Sequence, residues 1–335
     1  MSASNEIFTP NAVCAVESRT ALAPVELLED TYPACLLPPP VESKATSRRL
    51  KALLTLAKPE ITLMVMISAG VACLMASDAV RGVVLLNCVL GTGLLAAGAS
   101  ALNQYLERGH DGRMRRTSRR PLPAGDLTAG AALLFGLTLS ASGTLYLFLR
   151  LNALTGVLGL FTLVGYLFIY TPLKKRTPLC TLVGAFPGAA PVLMGWAAAR
   201  NSLAPEAWVL YAVLFLWQFP HFYAIGWLYR EDYARAGMLM LPAADESDGK
   251  ATFRLILLLT QQLIIVSLSL TFIAPTGYLY FLSAILLGLS FYYCAYRASR
   301  SRSKHAAKFL LHASVVYLPL LYLAMLLDKA LCGPR

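Results

Sequence analysis

Charge is scarce in this sequence: 14% of its 335 residues are Asp, Glu, Lys or Arg, while 57% are hydrophobic. A water-soluble domain typically carries about 25% charged residues, so the composition argues against one. Cysteine is equally uninformative as a framework. Cys14, Cys35, Cys73, Cys88, Cys180, Cys294 and Cys332 form no CxxC pair, which leaves neither a disulfide scaffold nor a zinc site indicated. His110, His221, His305 and His312 also lack ligand spacing. There is no GxxxxGK[ST], HExxH or GxSxG run and no internal repeat, so P-loop, zincin and hydrolase-elbow chemistries have no support.

Long apolar runs are what the chain does have. A hydrocarbon layer about 30 Å thick asks for about 20 apolar residues per helix. Nine segments meet this: 59–77, 83–105, 128–149, 152–171, 179–199, 205–228, 253–274, 277–296 and 309–327. The expected fold is an all-α integral membrane protein, with one transmembrane domain over residues 49–335. Residues 1–48 differ. They contain Glu6, Glu17, Glu26, Glu29, Asp30 and Glu42, the run Pro38-Pro39-Pro40, and no long apolar core. That composition predicts a disordered cytoplasmic tail and does not match an Arg-rich, acid-poor transit peptide.

The formal net charge of +11 raises the question of nucleic acid. Loop position answers it. With the N-terminus inside, 23 basic residues fall in the inside segments and five outside them. The bias of cytoplasmic loops toward Lys and Arg accounts for this, and no nucleic-acid partner is called for. The C-terminus is then expected outside. The inside loops 106–127 and 229–252 are also the longest, and they hold most of the acidic residues beyond the tail. That bias does not explain acids.

Asn103, Glu107 and Asp111 stand four apart where the second span leaves the membrane. On a helix they share one face, drifting about 40° per step. Amide and carboxylate oxygens, completed by water and substrate phosphates, suit Mg²⁺. Arg113, Arg115, Arg116, Arg119 and Arg120 follow, and guanidinium groups pair bidentately with phosphate. The competing reading is a solvated loop of ordinary ion pairs. A second acidic cluster, Arg230-Glu231-Asp232-Tyr233, faces the same side after the sixth span. Two such clusters point to metal ions bridging a polyanionic substrate.

Within the sixth span lies Trp217-Gln218-Phe219-Pro220-His221-Phe222-Tyr223. Polar groups inside a membrane are costly and default to functional candidates, although His221 can equally bond a neighbouring helix. Tyr170 and Lys174, four apart, close the fourth span on the same side. Lys58 precedes Pro59 at the first span, either as a snorkelling anchor or as a diphosphate contact.

These residues resemble the intramembrane prenyltransferases of the UbiA superfamily. N-x-x-x-D-x-x-x-D is met by Asn103, Glu107 and Asp111, and M-x-R-T-x-x-R-P-L by Met114, Arg116, Thr117, Arg120, Pro121 and Leu122. The Y-x-x-x-K element is met by Tyr170 and Lys174. W-Q-x-P-H-F…D-Y-x-x-A-G is met by Trp217, Gln218, Pro220, His221, Phe222, Asp232, Tyr233, Ala236 and Gly237, and is similar to the branch that farnesylates haem. The resemblance covers about residues 50–328. Glu107 stands where the family has Asp, Cys180 where many members have Asn, and the second acidic motif is reduced to Asp232 beside Glu231.

The resemblance implies a nine-helix bundle around a central cavity. It implies transfer of farnesyl from farnesyl diphosphate to the 2-vinyl group of haem b, with water added, giving haem O. Asn103, Glu107, Asp111 and Asp232 are implied as Mg²⁺ ligands. Lys58, Arg116, Arg120, Lys174 and Arg230 are implied at the diphosphate, with Asn103, Asp111, Tyr170, Lys174 and Asp232 acting in catalysis. Trp217, His221 and Tyr223 are implied at the haem. The expected setting is a bacterial plasma membrane rather than a mitochondrial inner membrane. Besides the lipid bilayer, haem A synthase and terminal-oxidase assembly proteins are candidate partners. The alternatives are a prenyltransferase for an aromatic or quinone precursor, a transporter, and a haem-binding assembly factor without transferase activity.

Overall fold

The computed structural model describes residues 41–77, 79–274 and 276–332. Its elements in chain order are α1 Val41–Ala57, α2 Pro59–Ala76, α3 Gly82–Asp111, α4 Ala129–Arg150 and α5 Ala153–Val164. A π-helical turn, Gly165–Tyr170, leads into α6 Thr171–Leu173. Then come α7 Cys180–Arg200, α8 Pro205–Leu228, α9 Arg230–Arg235, α10 Leu241–Ala244, α11 Lys250–Ile273, α12 Tyr278–Ser301 and α13 Lys304–Cys332. No strand occurs among the described residues.

Among the described residues, nine helices are long and apolar enough to cross a membrane, counting Ala153–Leu173 as one span with the π turn inside it. The π turn has a local cause. Pro172 has no N–H to give the carbonyl of Phe168, and its ring crowds that carbonyl, so the preceding turn widens. α3 runs six residues past the expected end of its span, because the Asn103–Asp111 ladder continues the helix beyond the apolar window. α13 begins at Lys304, five residues before the expected start at 309.

The expected tail boundary at residue 48 falls inside α1, which starts at Val41. α1 is held by its own contacts. Leu56 packs against Ala101 and Ala132, the Leu56 carbonyl accepts from Gln104 Nε2 at 2.9 Å, and Arg48 pairs with Asp126 at 2.8 Å. The rest of the expected tail, residues 1–40, lies outside the described residues.

Close helix approach organises the bundle, since helices in lipid associate through small residues that let backbones meet. α3 and α4 make the most extensive pair. A Cβ at Gly98 would lie 2.5 Å from the Ser140 amide nitrogen, and one at Gly143 would lie 2.6 Å from that of Leu95. α2 packs on α7, α7 on α8, α8 on α11, and α12 on both α11 and α13. α13 also meets α2, where Tyr322 donates to Ser68 Oγ at 3.2 Å, so the first and ninth spans close a ring. The loops 112–128 and 229–249 lie at one end, termed the mouth here. The opposite end carries the termini of α2, α7 and α13.

Candidate active site at the mouth

The ladder on α3 is the floor of the site, and its three members are all buried. Asn103 Nδ2 donates to Thr171 Oγ1 at 3.1 Å, and Thr171 in turn donates to the Tyr166 carbonyl. The widened turn before Pro172 thus presents both Tyr166 and Thr171 to Asn103. Asn103 Oδ1 receives only a stretched 3.5 Å contact from the Tyr166 hydroxyl, which leaves it an available acceptor.

Glu107 pairs with Lys174 Nζ at 2.7 Å. Burial alone would lower the pKa of Lys174, but Glu107 and the neighbouring tyrosines hold it well above the ordinary lysine value. The same ammonium sits 4.5 Å from the Tyr170 ring centroid, and Tyr170 packs against Tyr166 at 5.4 Å. Asp111 is 1% exposed. Both its oxygens accept from Arg120 Nη1, at 2.8 and 2.7 Å.

Lys58 completes the inner group. Its backbone is left-handed at φ 47°, a conformation costing about 1 kcal/mol outside glycine, and it links α1 to α2. Burial, with the charges of Arg120 and Lys174 nearby, pushes its pKa down to about 7.

Asp232 forms the rim. The Arg116 amide donates to its Oδ2 at 3.3 Å, and Arg235, one turn along α9, pairs with Oδ1. Arg116 Nη2 donates to the Tyr233 hydroxyl at 3.1 Å and its guanidinium stacks over Tyr229 at 5.0 Å. The loop carrying Asp232 is tied down beneath. Gly237 takes φ 69°, where a side chain would be strained, so the chain reverses and Leu239 N reaches the Lys174 carbonyl at 2.7 Å. Met114, Tyr233, Met238 and Cys180 share one small core there, with Tyr170 packed against it.

A model of the UbiA prenyltransferase family matches residues 63–316. The chain belongs to the UbiA prenyltransferase family. Curated relatives include the protoheme IX farnesyltransferase of Solibacter usitatus, 47% identical over 287 residues that cover 82% of this chain and 97% of that one. That of Koribacter versatilis is 45% identical, covering 74% and 82%. Among solved structures, a digeranylgeranylglyceryl phosphate synthase superposes with TM-score 0.68 at 16% identity, covering 84% of this chain and 98% of that one. A UbiA homologue from Archaeoglobus fulgidus bound to DMAPP and Mg²⁺ gives 0.61 at 12%, covering 82% and 98%. These share the fold. The chain is thus a multi-pass membrane prenyltransferase with the all-helical UbiA bundle.

Within that family frame, the structure sorts the expected site residues. It gathers Asn103, Glu107, Asp111, Lys58, Arg120, Tyr170 and Lys174, and sets Asp232 on the Arg116 amide in the loop that follows Asp111. Arg230 is not part of this group, because its guanidinium lies over Trp227 at 4.2 Å. Trp217 and His221 stack at 4.8 Å, and both reach α13: Trp217 Nε1 donates to the Ser314 carbonyl at 2.9 Å, and His221 Nδ1 meets Ser314 Oγ at 2.8 Å. Ser314 spends its one hydroxyl hydrogen on the Leu311 carbonyl. His221 Nδ1 is therefore the donor, and Nε2 keeps its lone pair. Tyr223 lies about 200° around the helix from His221, inside the main core, so the three expected haem residues do not form one wall.

Sequence reasoning missed Tyr166, Thr171, Arg235 and Ser314. Arg235 stands three residues after Asp232 and was legible by helical spacing. Nothing local marked the others.

Proposed function

We propose that this chain transfers the farnesyl group of farnesyl diphosphate to the 2-vinyl group of haem b, with water addition, releasing diphosphate and haem O. The observation that carries the reading is the buried ladder Asn103–Glu107–Asp111 facing Lys58, Arg120 and Lys174, beside a span carrying a histidine with a free Nε2. A second acceptor class, an aromatic or quinone precursor, has no comparable feature in its favour.

The donor set suits Mg²⁺, since every candidate ligand is an oxygen and Asn103 Oδ1 is nearly unused. Among the described residues no three acidic, histidine or cysteine side chains converge as a ready metal site, and each carboxylate is held by a cation. Asn103, Glu107, Asp111 and Asp232 would hold the metal together with the diphosphate, whose oxygens would take Lys174 and Arg120 from Glu107 and Asp111. The metal would neutralise charge on the leaving group.

The protein's own groups do the rest. Lys58, Arg120 and Lys174 bind the diphosphate oxygens, with Arg116 at the rim, and stabilise the charge that develops as the C1–O bond breaks and its electron pair leaves with diphosphate. The faces of Tyr170 and Tyr166 shelter the allylic cation. The vinyl π pair then forms the new C–C bond, and water captures the resulting cation and loses a proton. His221, its Nδ1 held by Ser314, would offer Nε2 to ligate or orient the haem iron. The count of basic loops supports a mouth that faces the cytoplasm and a C-terminus that faces out, and the acidic residues of 1–48, unlike a transit peptide, support a bacterial plasma membrane.

Purified protein supplied with haem b, farnesyl diphosphate and Mg²⁺ is expected to yield haem O, identified by mass. A prenylated aromatic acid formed in its place would overturn the assignment. His221→Ala is expected to alter the haem spectrum or turnover, and if it moves neither, the histidine only bridges helices.

A further inference from the structure

The proposed reaction brings two anionic substrates to one mouth, and the mouth holds two separate groups of cations. Lys58, Arg120 and Lys174 form the inner group around the α3 ladder. None of them lines the second feature, an open cleft of about 400 Å³ bounded by Arg115, Arg116, Leu228, Tyr229, Glu231, Asp232, Arg235 and Lys304. Four cations against two carboxylates leave this cleft a formal charge of +2. Its volume lies within the range of small-ligand sites.

Two of those cations are held loosely. Lys304 pairs with Glu231 at 2.8 Å, but the two side chains are 54% and 64% exposed, and such surface pairs contribute little. The Arg115 guanidinium makes no hydrogen bond or ion pair among the described residues, although its charge helps hold Glu231 below the ordinary carboxylate range, behind the larger effect of Lys304. Arg116 and Arg235 are committed to Tyr233 and Asp232. Leu228 and Tyr229, the latter with the Arg116 guanidinium over one face of its ring, supply the apolar part of the lining.

We propose that this cleft binds the two propionate carboxylates of haem b, with Arg115 and Lys304 as their contacts. The inference rests on haem b being the acceptor and specifies how it is held. Haem carries both carboxylates on one half of the macrocycle and both vinyl groups on the other. Anchoring the propionates between Arg115 and Lys304 lays the ring along Tyr229. The vinyl half then points past Asp232 and the Arg116 amide toward Asp111, where the farnesyl C1 is released. A neutral porphyrin edge has nothing to displace Glu231 from Lys304, so the cleft discriminates by charge.

The test is a spectroscopic titration of the purified full chain with haem b and with its dimethyl ester, in which both propionates are masked. Wild type should bind the ester about tenfold more weakly, the worth of one charge-assisted hydrogen bond. The double variant Arg115→Gln with Lys304→Gln should bind both forms alike, with the KM for farnesyl diphosphate within about twofold of wild type. Glu231→Gln provides a gain-of-affinity arm that does not rest on loss of folding: it frees Lys304 and should tighten haem b but not the ester. Equal binding of haem b and ester by wild type overturns the cleft assignment, as does a double variant that still discriminates or a Glu231→Gln protein that tightens both. Discrimination without haem O formation would leave the cleft standing and remove the transferase reading. Haem O formation without discrimination does the reverse.

Discussion

At the end of the bundle opposite the mouth, Asp328 is as buried as Asp111, yet the two acids keep different company. Asp328, on α13, accepts from the backbone N–H groups of Gly277 and Tyr280, the unpaired donors at the start of α12. Nearby, Lys329 Nζ donates to the carbonyls of Leu74 and Ser77 at 2.7 and 2.9 Å, and Arg200 Nε to that of Ala76 at 2.5 Å. These charges satisfy groups that exist only because helices end there. Asp111 and Glu107 face the side chains of Arg120 and Lys174 instead, and a phosphate can take over both cations. Charges fixed to backbone hold the fold, whereas charges fixed to movable side chains are available for exchange with a ligand.

The largest expected effect breaks the mouth without touching the far end. Asp111→Asn should lower kcat by at least about 100-fold, the scale of losing a group aimed at developing charge, while thermal unfolding in detergent stays near that of wild type. A variant that keeps its turnover would remove the ladder from catalysis. Asp328→Ala should do the opposite: it strands two buried donors and costs about 2 kcal/mol of stability, read as a lower unfolding midpoint, with specific activity of the folded fraction retained. Lost activity at unchanged stability would erase the distinction between the two ends.

A pH series sharpens the mouth side by up to about tenfold in KM. Lys58, with its pKa lowered to about 7, is charged below that value and neutral above it. Affinity for farnesyl diphosphate should therefore fall as pH rises through about 7, and Lys58→Arg, charged throughout, should flatten the profile. The smallest effect is Lys329→Met, expected to cost about 1 kcal/mol through loss of a cation at the end of α2, without any change in KM.

Much of this was legible in the sequence, for reasons that also mark where reading stops. Apolar run length located all nine spans. Spacing by four put Asn103, Glu107 and Asp111 on one face because that period belongs to the helix itself. Span ends were less clear where polar residues continued a helix, as at Arg108–Asp111 and Lys304–Lys308, since hydropathy registers the membrane and not the backbone. Partner choice was not legible at all. Arg120 reaches Asp111 only because the 112–120 loop folds back, and Ser314 meets His221 across 93 residues. The π turn hid Thr171, which a regular helix would present at another angle.

The contact between the first and ninth spans has a consequence for biogenesis. α2 is made long before α13, yet the carbonyls of Leu74 and Ser77 wait for Lys329, and Ser68 waits for Tyr322. Until α13 is inserted, α2 keeps an open flank toward lipid. A ribosome stalled within α13 would therefore leave the ring unsealed between α2 and its neighbour, with the Ser68 and Leu74 contacts unmade.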